Sequence, residues 1–244
     1  MTSIAVPAES RHFMAHPEVE AYLRGLFPSL TAESDRGAVL LGAAQIDEQL
    51  KLLFASLAPA ATSKNRKKEI FSFNGPFGSF SAKLDVAYVC RLLPPSLIDA
   101  VHRFRKLRND VAHKASSFEL KDHQDEIYRI FALVGPGVDV GVNRMTVELM
   151  VNNMLIRLTT ADHPIDEGKP LFENRSAALA YLDENKHVLK VLEADRPRWE
   201  LGVGVGLICG LIIHHRERLS RALGSSETIV SALRKDSHPH VADA

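Results

Sequence analysis

The chain has 244 residues, and its 30 basic and 30 acidic side chains cancel to zero net charge. Hydrophobic residues make up 45% and charged residues 25% of it, as in an ordinary soluble globular protein. Without a net charge, no global field attracts nucleic acid or a membrane, so any such binding has to use a local patch.

The cysteines and the N-terminus indicate a cytoplasmic protein. Cys90 and Cys209 lie in apolar helical segments without metal-ligand spacing, and we expect both to be reduced core residues. Met1 to Phe13 shows no basic flank followed by an apolar core, so we expect no signal peptide.

The first helices are predicted from capping residues and hydrophobic spacing. A short helix is expected over 17–27, and Ser34 is typical of an N-cap for a helix from Asp35 to Leu57. The apolar seam of this second helix has 4-3-4-3-4 spacing. Its members are Val39, Ala43, Ile46, Leu50, Leu53 and Leu57. Asp47 lies on the shoulder of the seam.

Four features follow in the middle of the chain. The basic run 64–68 is expected to be a solvated loop, and the aromatic, turn-rich segment 71–78 to anchor in the core. Ser79 or Ser81 is predicted to cap the next helix, which ends at Pro94. A helical stretch is predicted from Pro95 to His113, and Ser96 with Asp99 resembles a capping box that opens it.

A further helix is predicted from Leu120 to Val134, and the second half is less regular. The alternation over 138–142 favours a short strand, whereas Val147 to Leu158 has helical spacing. A helix is expected from Ser176 to Ala194, and a last long helix after Pro197. We expect the polar tail after Gly224 to be mobile.

The uncharged stretch Leu201 to Ile213 is the segment to test as a membrane-spanning helix. It is thirteen residues long, whereas a membrane-spanning helix needs about twenty. Its four glycines allow close backbone approach, so a buried core helix is expected and no membrane association.

These elements predict an all-α protein with four regions. They are an N-terminal extension over 1–30, a helical bundle over 31–136, a second helical region over 137–224 and a tail over 225–244.

The most informative residues are 108–113, with the sequence Arg-Asn-Asp-Val-Ala-His. Asn109 and His113 are four residues apart and share a helix face, with Arg105 one turn earlier. Arg108 instead continues the apolar stripe of Leu97, Val101, Phe104 and Val111. A buried arginine needs a partner, because an unpaired buried charge is very unfavourable.

This cluster suits cleavage of RNA without a metal or cofactor. A histidine can move a proton to or from the reacting oxygens, and the 2′-hydroxyl of RNA is the nucleophile. The guanidinium of Arg108 can bind the phosphate, and Asn109 can position His113 or donate to the phosphate. One chain supplies one such histidine, whereas acid and base roles need two, so a symmetric homodimer is expected.

A structural role is the alternative. Arg108 can form an ion pair with Asp47, Asp35 or Glu48 of the first long helix. His113, at the end of its helix, can interact with the terminal carbonyl groups.

Three blocks resemble the mannitol operon repressor family. The first runs from Glu33 through Arg36 to Glu48, the second covers 75–83, and the third is 108–113. In order and spacing they cover residues 30 to 135. The third block is also the R-x4-H pattern of the wider HEPN superfamily, an all-helical bundle.

The HEPN resemblance implies a metal-independent endoribonuclease of a toxin, defence or regulatory system, with an active site formed across a dimer. Arg108 and His113 would then be catalytic, with Asn109 beside them. Some HEPN toxins carry an AMP-accepting tyrosine two residues after the histidine, and here that position is Ala115.

The repressor resemblance implies a non-enzymatic transcriptional regulator. No helix-turn-helix pattern is visible and the chain is neutral, so direct sequence-specific DNA binding is not expected. Such a regulator would act through a protein partner, and the R-x4-H residues, with Arg36, Arg105, Asp47 and Glu48, would hold the bundle together.

Overall fold

The computed structural model describes residues 15–113, 117–166 and 168–236. In these ranges the regular structure is helical and no strand is formed, so the predicted all-α class is confirmed. The helices are α1 (Pro17–Arg24), α2 (Leu26–Ala32), α3 (Asp35–Leu57), α4 (Lys64–Phe71), α5 (Phe80–Val89), α6 (Pro95–His113), a 3₁₀ helix (Leu120–His123), α7 (Gln124–Val134), α8 (Val138–Thr160), α9 (Arg175–Glu184) and α10 (Lys186–Asp236).

Side-chain caps explain where several helices begin. The Ser34 hydroxyl accepts a hydrogen bond from the Gly37 N–H at 3.1 Å, and α3 has the predicted bounds. Ser79, rather than Ser81, caps α5 by accepting from the Ala82 N–H. Each cap satisfies one of the free N–H groups of a first helical turn.

The predicted capping box at Ser96 is wrong, because α6 already begins at Pro95. The Ile98 N–H donates to the Pro94 carbonyl, so Ser96 lies inside the first turn. Proline is favourable at this first position, since its missing N–H would have no helical acceptor there.

Other boundaries also differ from the sequence prediction. The expected helix over 17–27 is divided at Gly25, and the basic run 64–68 belongs to α4. The strand expected over 138–142 is wrong, because these residues form the first turns of α8 after the left-handed Gly137. Five alternating residues are a weak signal, and no neighbouring strand is present in the described ranges to pair with them.

The C-terminal helix is longer than predicted at both ends. α10 runs from Lys186 through Pro197 to Asp236, although proline cannot donate to the carbonyl four residues earlier. Residues 225–236, expected to be a mobile tail, are helical. The tail histidines His238 and His240 lie outside the described residues.

The middle of α10 fills the centre of the bundle against α3. Residues 201–213 are almost entirely buried, as predicted. Gly202 faces the ring of Phe27, Gly204 that of Phe131, and Gly206 that of Tyr22. The Tyr22 hydroxyl donates to the Gly202 carbonyl at 2.7 Å, a contact that needs this close approach. None of the described helices is long and apolar enough to span a membrane.

One main core joins residues on both sides of the predicted boundary at 136. It includes residues from Tyr22 in α1 to Ile212 in α10. A small second cluster, centred on Leu155, Ala178 and Leu182, joins the end of α8 to α9 and the start of α10. The division of the chain into four regions stays a prediction, and the bundle over 31–136 shares its core with α10.

A buried carboxylate connects three helices near this core. Glu200 of α10 accepts hydrogen bonds from Gln124 and Tyr128 of α7 at 3.1 Å, and from Arg196 one turn earlier at 2.8 Å. Asn143 of α8 donates to it at 3.4 Å. These donors compensate for the removal of the charge from water.

The two cysteines differ in environment. Cys209 is buried as predicted, and burial raises the pKa of its thiol. The prediction for Cys90 is wrong, because this residue is exposed where α5 ends.

Candidate functional site

The apolar seam of α6 passes through Leu107 and not through Arg108. Phe104, Leu107 and Val111 are buried, whereas Arg108 is exposed. Steps of three or four residues both stay on one helix face, so either residue was compatible with the spacing. The expectation that Arg108 is buried in the core is therefore wrong.

Arg108 contacts its neighbour in the sequence. Its Nη1 donates to the Asn109 side-chain oxygen at 3.1 Å, and Asn109 is half-buried. His113 is the last residue of α6 and is exposed. The fold thus brings Arg108 and Asn109 together at the surface and places His113 one turn further along the same helix.

The expected ion pair between Arg108 and α3 is also wrong. Asp47 instead lies 3.0 Å from the ammonium of Lys83, a buried residue of α5. Glu48 pairs with Lys51 of its own helix at 2.9 Å. Both acids are therefore occupied by other cations.

Asp35 has a different structural role from the one predicted. Its carboxylate accepts a hydrogen bond from the Leu120 N–H at 2.7 Å and lies 3.6 Å from Arg198 of α10. It therefore holds the chain that follows the motif helix against the start of α3.

Arg36 is the predicted supporting residue that directly contacts the motif helix. Its Nη1 donates to the Val111 carbonyl at 2.7 Å. The last carbonyl groups of a helix lack partners within the helix, so this bond satisfies one of them. Arg36 thereby ties the end of α6, next to His113, to the N-terminal end of α3.

Arg105 lies one turn before Asn109 on the same side of α6. It is half-buried, and its Nε is shielded from water without a hydrogen-bond acceptor among the described residues. The protein itself covers this nitrogen, so the Nε is not an accessible donor for a ligand.

A small cavity lies on the other flank of α6. Its volume is about 220 Å³, and its lining includes Lys106 and Asp110 of α6 and Glu126 of α7. Phe118 and His123 form another wall, with their rings stacked at 4.7 Å between centroids. The sequence did not indicate this cavity, because its aromatic wall follows the motif by five to ten residues and has no characteristic spacing.

Basic side chains predominate near the end of α6. Lys106, Arg108 and His113 are exposed there with one acid, Asp110, and Arg105 is half-buried. In the described ranges, no group of three or more His, Cys, Asp or Glu side chains is placed to hold a metal ion. The arrangement offers cationic hydrogen-bond donors and an accessible imidazole, which are suited to a phosphate group.

Comparison with protein-family models, curated proteins and solved structures found no match for this chain.

Proposed function

We propose that this protein is a HEPN-like, metal-independent endoribonuclease that acts as a homodimer. The observation that supports this function best is the position of Arg108 and His113 at the exposed end of α6. Neither residue is sealed in the bundle, and the acids that would have given Arg108 a structural role have other partners. A phosphate ligand would explain this exposed pair.

The reaction needs only the groups of the RNA and of two R-x4-H motifs. The 2′-oxygen attacks the adjacent phosphorus, the bond from phosphorus to the 5′-oxygen breaks, and a 2′,3′-cyclic phosphate forms. One His113 takes the proton of the 2′-hydroxyl, and His113 of the second protomer protonates the leaving 5′-oxygen. Arg108 binds the non-bridging oxygens, where negative charge increases in the transition state.

A twofold axis beside the end of α6 would supply the second histidine. In a twofold-symmetric interface the same surface of each protomer meets its copy, so two exposed motifs can face one cleft. Asn109 would then orient the Arg108 guanidinium, as it does within one chain. Arg36 would hold the end of α6 in place through Val111.

Single-residue variants test this proposal directly. A set of 5′-labelled single-stranded RNAs is incubated with the purified protein in EDTA. We expect the wild type to cleave RNA and His113→Ala to lose at least a hundredfold in rate, within the usual contribution of a general acid or base. Arg108→Ala should show a comparable loss, and mixed dimers of the two variants should not regain activity, because their shared cleft holds only one His113.

The matched control is His102→Ala, which removes another partly exposed histidine of α6, one that lies 3.7 Å from Asp85. It should cleave like the wild type, and all variants should keep the wild-type melting temperature within a few degrees. Cleavage by His113→Ala at the wild-type rate would contradict the proposal, as would a wild-type protein inactive on every RNA tested.

The alternative is a non-enzymatic regulator that acts through a protein partner. The exposed apolar side chains Tyr88 and Val89, 59% and 75% accessible, favour a partner surface away from the R-x4-H motif. If this alternative holds, Tyr88→Ser should abolish regulation in cells, whereas His113→Ala should leave it unchanged.

A further inference from the structure

A cleft of about 760 Å³ lies between the turn that joins α5 to α6 and the C-terminal part of α10. We call it the α5–α10 cleft. Leu92 and Leu93 of the turn and Leu219 of α10 form an apolar surface in it, beside Pro94 and Pro95. Pockets of 300 to 1,000 Å³ with mainly apolar walls and a few polar groups are typical of small-molecule sites.

Two arginines line the cleft, Arg91 from the turn and Arg218 from α10, together with the imidazole of His215. No acid is among the described residues that line it. Arg91 and Arg218 are exposed and form no ion pair with any described residue. Glu217, the acid next to Arg218 in the chain, is hydrogen-bonded at 2.8 Å to His16.

The backbone holds Arg91 at the edge of the cleft. Its φ of 53° is in the left-handed region, which is unusual for a residue with a side chain. The Arg91 N–H donates to the Tyr88 carbonyl and the Leu92 N–H to the Ala87 carbonyl. These two hydrogen bonds fix the backbone on both sides of Arg91. They are those of a Schellman motif at the end of α5, so the left-handed conformation is that of a helix C-terminus and fixes where Arg91 leaves the helix.

Apolar surface continues from the cleft to its mouth. Tyr88 and Val89, which also line it, are 59% and 75% exposed. A ligand whose chain covers these side chains would remove apolar area from water, which favours binding.

We propose that the α5–α10 cleft binds a single-chain amphipathic anion, a medium-chain carboxylate of the fatty-acid type. Its carboxylate lies between Arg91 and Arg218, and its alkyl chain lies on Leu92, Leu93 and Leu219. A guanidinium can bind a carboxylate through two parallel hydrogen bonds, which favours an anionic head group over a neutral or cationic one. This site is independent of the proposed nuclease, because the eighteen helical steps of α6 from Pro95 to His113 separate the two by about 27 Å.

The environment of His215 agrees with an anionic ligand. Burial, His214 and Arg218 together lower its pKa. The groups facing it are His214 and Arg218 on α10, with Tyr88 and Arg91 across the cleft. A carboxylate in the cleft adds the missing negative charge and stabilises the protonated imidazole.

Calorimetric titration of the full chain with laurate, below its micelle concentration, tests the site. We expect saturable binding of one laurate per chain, with an upward move of the His215 titration midpoint followed by NMR. Arg91→Ala and Arg218→Ala should each weaken binding at least tenfold, while Leu219→Gln should weaken it through the alkyl chain. The surface control Arg144→Ala, which removes an exposed ion pair on α8, should bind laurate like the wild type.

Three further probes check the ligand chemistry. Dodecyl maltoside and dodecyltrimethylammonium carry an alkyl chain of similar length without a negative charge, and they should bind at least tenfold more weakly than laurate. Dodecyl phosphate tests the head group, and binding tighter than that of laurate would overturn the assignment to a carboxylate. The proposal would be overturned if laurate showed no saturable binding, or if the arginine variants bound laurate as tightly as the wild type.

Discussion

At the scale of single residues, the surroundings of α6 show how packing selects among charges that look equivalent in the sequence. Arg108 belongs to the motif and Arg36 lies in α3, yet Arg36 donates to the Val111 carbonyl of α6 whereas Arg108 is exposed. Leu107 and Arg108 are both compatible with the spacing of the seam, and burial of the leucine is favourable whereas burial of the arginine is not. Arg108 is the arginine that the proposed function assigns to the phosphate.

The pH dependence of stability can be predicted for His215. Burial, with the nearby charges of His214 and Arg218, lowers its pKa from the ordinary value of 6.5. The unfolded chain therefore binds the proton more readily than the folded one. The contribution of neutral His215 is fully present above pH 6.5, and the free energy of unfolding decreases as the pH falls below it.

Urea unfolding at pH 7.5 and 5.5 measures this effect. The decrease in unfolding free energy between the two pH values should be smaller for His215→Gln than for the wild type. His214→Gln, which removes one of the charges that lower the pKa, should reduce the decrease only in part. An identical decrease in the wild type and His215→Gln would show that His215 does not contribute.

At the scale of helices, α10 was the element that the sequence described least well. Pro197 was expected to precede the last helix, and the helix instead begins at Lys186 and includes it. Proline removes one backbone hydrogen bond, a local loss of about 3 kcal/mol. The packing of residues 201–213 against α3 outweighs this loss, because that segment is almost fully buried.

The glycines of α10 give a prediction at this scale. A Cβ at Gly204 would overlap the ring of Phe131, and Phe131 is fully buried. Gly204→Ala should therefore lower the free energy of unfolding by about 1–3 kcal/mol or more, as expected for overpacking.

The matched control is Gly141→Ala in α8, where an added Cβ meets no atom within 4 Å. This change should raise the free energy of unfolding by about 0.5–1 kcal/mol, because alanine is the better helix former. Urea unfolding of both variants measures the difference. Equal stability of the two would mean that α10 can move away from Phe131 at little cost.

At the scale of the whole molecule, α10 completes the bundle that the first half of the chain begins. Its residues 201, 203, 205, 208, 209 and 212 belong to the same core as α3, α5, α6 and α7. A fragment of residues 31–136 would therefore expose the apolar faces that α10 covers.

This dependence can be measured on fragments. Residues 31–136 alone should show no cooperative urea transition, whereas residues 15–236 should unfold cooperatively like the full chain. A cooperative transition with a near-ultraviolet circular dichroism signal from the short fragment would contradict this, and would show that the predicted bundle is an independent domain.

Much of the architecture could be predicted, because helix signals are local. Ser34 and the seam of α3 predicted a helix running to about Leu57, and α3 ends there, since a cap and a 4-3-4-3 repeat are read from neighbouring residues. The prediction of a strand over 138–142 was wrong, because alternation over five residues is also compatible with a helix that is buried on one side. The predicted start of α10 after Pro197 was wrong, because tertiary packing outweighed the local effect of this proline.

The sequence by itself determined the all-α class, the burial of residues 201–213 and the location of the R-x4-H residues on one helix, since each follows from local spacing. The tertiary structure decided that Arg108 is exposed, that Asp47 pairs with Lys83, and that Arg36 holds the end of α6. It also decided that a cleft with basic edges forms beside α10. These outcomes depend on which distant side chains meet, and burial and charge pairing between helices set that choice.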